Sequence, residues 1–307
     1  MSNLSKKEMY PSLPLVEWQE TNDTLHLWTQ IVGKIRLEQT PMLNEWWNVP
    51  LYLTPRGLTT SAMSYKNESF AIDFDFINHE LIVQTSFNDG FTFQLEPMAV
   101  ADFYDKLLNE LKSNGIEVKI TAIPDELENP IPFAEDTKHA SYDAEYVHRF
   151  WRILLKIDQV FKEFRSRFSG KCSPVHFFWG SFDLAVTRFS GKDAPPRENA
   201  DRITRIAYDQ EVISHGFWTG NGFGEAAFYA YAAPAPENFG KQKVQPETAF
   251  YSDEMGEYLL KYEDVRQSEN PDKMILDFMQ TTYEAGANLA NWNRKNLEVD
   301  WSEILNE

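Results

Sequence analysis

Two stretches of this sequence concentrate groups that could move a proton or grip an anion. One is Glu135-Asp136-Thr137-Lys138-His139, and the other runs from His176 to Arg188 through Trp179 and Asp183. A histidine beside a carboxylate serves as a general base, a metal ligand or an anchor for a polar molecule, and an arginine clamps an anion. Strand alternation places His176 with Phe178 on one face, and Asp183 with Ala185 and Thr187 on one face of the next run. Paired as a hairpin, the two runs would set His176 opposite Asp183. The plainer reading of that pair is a structural contact that fixes the hairpin. His176, Asp183, His139 and Asp136 are thus the expected catalytic groups, with Arg188 and Trp179 as ligand contacts. Arg56 joins the ligand contacts because Arg56-Gly57 in the first half parallels Arg188 and Gly191 in the second.

Other motifs carry less. Asp136, His139 and Asp143 would share a face on a helix and could hold a cation, whereas in a capped entry loop they would simply be exposed charges. Glu145-Tyr146-Val147-His148 has the Glu-x-x-His spacing of di-metal bundles, but those need a second copy and two further glutamates. Cys172 and His176 lie four apart, a spacing that says little, because a catalytic Cys and His meet from distant positions. A packed, unreactive thiol is the better reading. Gly216 to Gly224 reads as a flexible glycine-rich loop bordering a pocket with His215, Phe217 and Trp218. It lacks both the dinucleotide spacing and a Walker lysine. Trp46-Trp47 and Phe177-Phe178-Trp179 could stack on a flat ligand, although such density usually marks core.

The elements that must carry these groups are legible in part. A helix capped by Asp23 or Thr24 bears Leu25, Trp28, Ile31, Val32 and Ile35, and ends at Thr40-Pro41. A strand-like run spans 49–54. Phe70, Ile72, Phe74 and Phe76 alternate with polar or small residues, and Asn88-Asp89-Gly90 turns the chain into Phe91, Phe93 and Leu95, which makes an antiparallel meander. Pro97 opens a helix with Val100, Phe103, Leu107 and Leu111 on one stripe and Gly115 as its C-terminal stop. A short strand over 117–120 and a proline-punctuated linker over 124–132 follow. The second half offers a long helix over 143–168, β-type runs over 175–179 and 182–189, a strand over 226–232, a short one over 258–262, and a last helix opened by Asn270-Pro271.

The strings Trp46-Trp47-Asn48-Val49-Pro50-Leu51-Tyr52, Pro132-Phe133-Ala134-Glu135-Asp136 and Gly170 to Asp183 are long and unusual. Through them the chain resembles an uncharacterised bacterial family, a domain of unknown function, from about Trp18 to Trp292. The resemblance implies a cytoplasmic bacterial protein and brings no activity, cofactor or catalytic residue.

Composition sets the outer bounds. The chain has 307 residues, 42% apolar and 25% charged, which is a globular balance with ample material for a core. Forty-seven acidic against 29 basic residues give a net charge of −18, which repels phosphate backbones and anionic membranes. One cysteine permits no internal disulfide and fits a reducing compartment, and no run of 18 apolar residues is present. The expected fold is α+β, with antiparallel sheets covered by long amphipathic helices. Its halves, 15–123 and 133–292, share an element order that suggests an internal duplication. Three functions follow: a protein that binds or acts on a small polar or aromatic molecule in a cleft, a metal-dependent hydrolase, and a non-catalytic interaction module. No cofactor and no oligomeric state follow from the residues. The expected partner is a small molecule, with neither nucleic acid nor membrane.

Overall fold

The computed structural model describes residues 9–301, and the chain is α+β with two antiparallel sheets. It separates into two compact units. Among the described residues, one comprises 13–155 and 177–183, and the other comprises 9–12, 156–176 and 184–301.

The first unit is built on a sheet of β1 (Tyr52–Leu53), β2 (Gly57–Thr59), β4 (Glu68–Asp75), β5 (Glu80–Thr85) and β6 (Phe91–Gln94) in that order, with β3 (Met63–Tyr65) on β4. The register explains its one-sided core. Ile72 lies opposite Val83, and Phe74 lies opposite both Leu81 and Leu58. Phe93 faces Leu81, so the buried residues share one face while Asp73 and Gln84 take the other. Helices α1 (Gln19–Gln39) and α2 (Val100–Ser113) supply the opposing layer. Trp28 of α1 stacks on Phe103 of α2 at 4.8 Å, and Phe103 meets Phe93 of β6 edge-on at 5.8 Å. Each such ring, fully buried, contributes roughly 1.5–3 kcal/mol.

Helix α1 starts at Gln19, a turn before the Asp23 or Thr24 expected to cap it, and it has no side-chain cap. Most of its length is buried on every side, including Thr21, Asn22, Gln30 and Lys34, so its polar residues are core members and its stripe understates it. Helix α2 begins at Val100, three residues after the Pro97 expected to open it, and Gly115 takes φ +82 just beyond its end. The strand expected over 117–120 is absent: that segment joins no ladder.

Helix α3 (Ala144–Ser166) contributes its first half to this unit and its second half to the other. The other sheet is ordered β11 (Phe250–Ser252), β12 (Glu257–Lys261), β10 (Ala227–Ala233), β9 (Gln210–Trp218), β8 (Asp183–Asp193) and β7 (His176–Phe178), and its strands from Leu184 onward belong to the second unit. Helix α6 (Pro271–Leu289) packs on β9 and β10 through Ile275, Phe278, Met279 and Thr282. Asn270 caps it by accepting from Lys273 N at 3.1 Å, with Pro271 in the first turn. Short helices α4 (Arg202–Ala207), α5 (Tyr262–Gln267) and α7 (Arg294–Leu297) complete the unit.

The glycine-rich segment divides differently from the expected loop. Gly216 sits within β9 opposite Tyr229 of β10, and a Cβ there would lie 2.2 Å from the tyrosine ring, so the glycine makes room for an aromatic neighbour. The turn proper begins after Trp218, where Gly220, Gly222 and Gly224 all take positive φ. No helix among the described residues is long and apolar enough to cross a membrane.

Candidate functional site

The groups singled out in the sequence fall into different settings. Asp136 follows a single helical turn at Phe133–Glu135, is 1% exposed, and is fully engaged. Its Oδ1 accepts from the backbone N–H groups of Lys138 and His139, both at 3.1 Å, and its Oδ2 accepts from His139 Nδ1 at 2.7 Å. The same loop turns its carbonyls on α2, where Ala101 N donates to Asp136 O at 3.0 Å and Val100 N to His139 O at 2.9 Å. A helix start leaves N–H groups without partners, and Ala99 at the cap position has no side chain to offer them, so the loop serves as the cap. The shared helical face expected for Asp136, His139 and Asp143 is not formed. Helix α3 starts only at Ala144, and Asp143 Oδ1 accepts from Glu145 N and Tyr146 N at its first turn.

Trp179 is 5% exposed, its Nε1 donates to Val49 O at 2.9 Å, and its ring fills the space beside Gly33. Arg56 is half exposed and pairs with buried Asp75, its Nε donating at 2.7 Å. Burial acts to raise the Asp75 carboxyl, but the N–H groups of Asn78 and Ile77 together with Arg56 outweigh it and hold the group below the usual range. His176 opens β7 and Asp183 opens β8, both buried. His176 belongs to the second unit and Asp183 to the first.

Arg188 is set apart from all of these. It lies on β8 in the second unit, 1% exposed, with its guanidinium carbon 3.4 Å from the ring centre of Phe164, 4.4 Å from Tyr283 and 4.9 Å from Phe168. The cage draws on three places: Phe164 lies in the last turn of α3, Phe168 lies two residues beyond its end, and Tyr283 comes from the buried side of α6. Aromatic faces attract a guanidinium, but three rings leave its fork of N–H donors largely unsatisfied. One donor reaches Phe164 O, a terminal carbonyl of α3. The Nε is buried and has no hydrogen-bond partner among the described residues. Burial pushes the group down to about 10, aided by Arg167 and opposed by Cys172, Tyr283 and Glu298, so it stays cationic at neutral pH.

This cation lines a cavity of about 670 Å3, together with Ser166, Arg167, Gln280, Trp301 and two carboxylate residues, Glu298 and Asp300. The nearby carboxylate of Glu298 is already committed. Its Oε1 accepts from Tyr283 OH at 2.9 Å, and both of its oxygens accept from Arg294. Trp301 Nε1 donates to Ser166 O at 2.7 Å, which ties the C-terminal wall to the end of α3. On the sheet side His215 is fully buried, bonded through Nε2 to Thr282 Oγ1 at 3.0 Å and edge-on to Phe164 at 4.9 Å. Burial and then Arg188 push its imidazole down to about 3, so it is neutral. Burial also raises the Cys172 thiol to about 11 against the opposing pull of Arg188 and Arg165, which leaves the sulfur protonated and a poor nucleophile.

Apart from Arg188 itself, the sequence reading did not single out this cavity. Phe164 falls within the long helix expected over 143–168, and Gln280, Tyr283, Glu298 and Trp301 form no sequence pattern. The signal that could have found it is an arginine on an apolar strand, between Leu184-Ala185-Val186 and Phe189. A charge there must be paired, caged or used. Among the described residues, no three His, Cys, Asp or Glu side chains gather as ligands for a metal ion.

Taken together, the chain is a two-unit α+β protein whose second unit holds a caged arginine at the wall of a sizeable cavity. A family of unknown function, DUF5996, matches residues 10–299, and the chain belongs to it. No curated protein and no solved structure matches the chain.

Proposed function

We propose that the second unit binds a small organic anion, a carboxylate or phosphate ester, in the cavity walled by Arg188. One observation carries the reading: a guanidinium 1% exposed lines a cavity, and its Nε is left without an acceptor. An unpaired buried donor on a cation is costly, and an anion entering the cavity would relieve it with charge-assisted hydrogen bonds. Gln280, Ser166 and Trp301 add polar and aromatic contacts for the rest of the ligand. The neutral His215 and protonated Cys172 nearby support binding in preference to proton transfer or nucleophilic attack at this place.

The proposal includes a small-molecule partner rather than nucleic acid, in keeping with the net charge of −18. A bacterial, cytoplasmic setting and descent from a duplicated half belong to the same reading. The lone Cys172 supports the first, and the shared order of elements supports the second.

Calorimetric titration of the whole chain with acetate, benzoate, phosphate and a phosphate monoester tests the reading. A saturable site is expected for at least one of them, weakened roughly 10- to 100-fold by Arg188→Met, as for a hydrogen bond to a charged group. Gln280→Glu, which adds a negative charge to the wall without touching the cage, should weaken the same site while preserving the fold. Absence of a saturable site for every anion, or equal affinity in both variants, would overturn the proposal.

A further inference from the structure

A second cavity lies in the same unit, about 190 Å3, and its residues are separate from those around Arg188. Its walls are mostly aliphatic, among them Ile213 of β9, Ala232 of β10, Pro236 and Ala290. Two polar residues, Trp292 and Glu211, are among those that line it. Trp292 is 7% exposed, and its Nε1 donor has no hydrogen-bond partner among the described residues. Glu211 Oε2 is likewise buried without a hydrogen bond, its nearest cation being Lys192 Nζ at 3.8 Å. That ammonium is itself held by the carbonyls of Ala290 and Asn291, at 3.3 and 3.2 Å.

One orphan donor and one orphan acceptor in a single small cavity define the missing partner. It must accept from an indole N–H and donate to a carboxylate, and a hydroxyl oxygen does both. Lys192 already balances the Glu211 charge, so a second cation would gain little there. The aliphatic walls favour a carbon body over a chain of waters, since dry apolar cavities take apolar groups. We infer that this cavity is a binding site for a small uncharged alcohol, its hydroxyl bridging Trp292 Nε1 and Glu211 Oε2 and its carbons packing on Ile213, Ala232 and Pro236. The inference stands independently of the anion site.

Indole N–H spectra of the full chain test it, with the Trp292 signal assigned as the one lost in Trp292→Phe. Titration with propan-2-ol, butane-1,2-diol and cyclohexanol should move that signal downfield and saturably. The matching methyl ethers, which cannot donate to Glu211, should bind at least tenfold more weakly. Glu211→Met should cost a similar factor. Ala290→Leu, which fills the space but keeps both polar groups, should abolish the shift in a folded protein. No saturable shift with any alcohol would mean that water alone occupies the cavity and would overturn the inference. So would ethers that bind as tightly as alcohols, an isosteric amine that binds more tightly, or binding unchanged by Ala290→Leu.

Discussion

Asp136 and Arg188 are both buried and polar, yet they differ in what their groups still need. Asp136 spends its carboxylate on two backbone N–H groups and one imidazole, all within four residues. Arg188 sits among three rings, reaches one carbonyl, and keeps its buried Nε without a partner in the wall of a cavity. Local polar density therefore marks where a loop is tied down. Unspent hydrogen-bonding capacity beside a cavity marks where a ligand belongs.

The sharpest break of this comparison comes from removing the closed network. Asp136→Ala strands three donors and should cost about 3 kcal/mol in the urea unfolding midpoint. It should leave anion affinity unchanged. A loss below about 1 kcal/mol would mean that the carboxylate is not the hub of its loop.

The next effect lies beside the cage. With its thiol raised to about 11, Cys172 should react with iodoacetamide on the order of a hundredfold more slowly than free cysteine at pH 7.5. Labelling at the free-cysteine rate would show that water reaches the strand next to Arg188.

His215 gives a pH signature. Its folded value of about 3 lies below the ordinary 6.5, so the unfolded chain takes up the proton first. Its contribution is complete above about pH 6.5 and is lost as pH falls towards 3. Stability measured by denaturant should decline across that window, with a shallower slope in His215→Gln. His26, lowered chiefly by burial, acts in the same direction, so the slope should flatten without disappearing. An identical slope in the variant would contradict a dry, neutral imidazole.

Arg56→Ala should show the smallest change, about 1 kcal/mol or less, because the half-exposed guanidinium is screened by water. A larger loss in urea unfolding would make the Arg56–Asp75 pair a second buried hub.

Legibility in the sequence followed the same divide between local and spatial information. Helix α2 was readable because Val100, Phe103, Leu107 and Leu111 bury one stripe and Gly115 stops it. Helix α6 was readable because Asn270-Pro271 is a local signal. Strand β9 escaped because seven consecutive residues from Val212 to Trp218 are buried, which erases the alternation that announces a strand. Helix α1 gave up its stripe but not its start, since Thr21 and Asn22 are buried despite being polar. Asp136 and His139 stood out because they are three residues apart, but the helical face expected for them is a loop. The cavity was not, since Ser166, Arg188, Gln280 and Trp301 meet only through tertiary structure. Arg188 alone stood out, as the anion clamp of the polar run that begins at His176.

The most direct measurement is the Nε–Hε resonance of Arg188 in the labelled protein, identified by its loss in Arg188→Lys and followed during titration with benzoate or phosphate. An anion bound at the cage should move this resonance downfield and saturably, slow its exchange with water, and leave the Arg56 signal in place. A resonance that stays fixed while anion is added to saturation, or that moves no more than that of Arg56, would contradict the assignment of the cavity as an anion site.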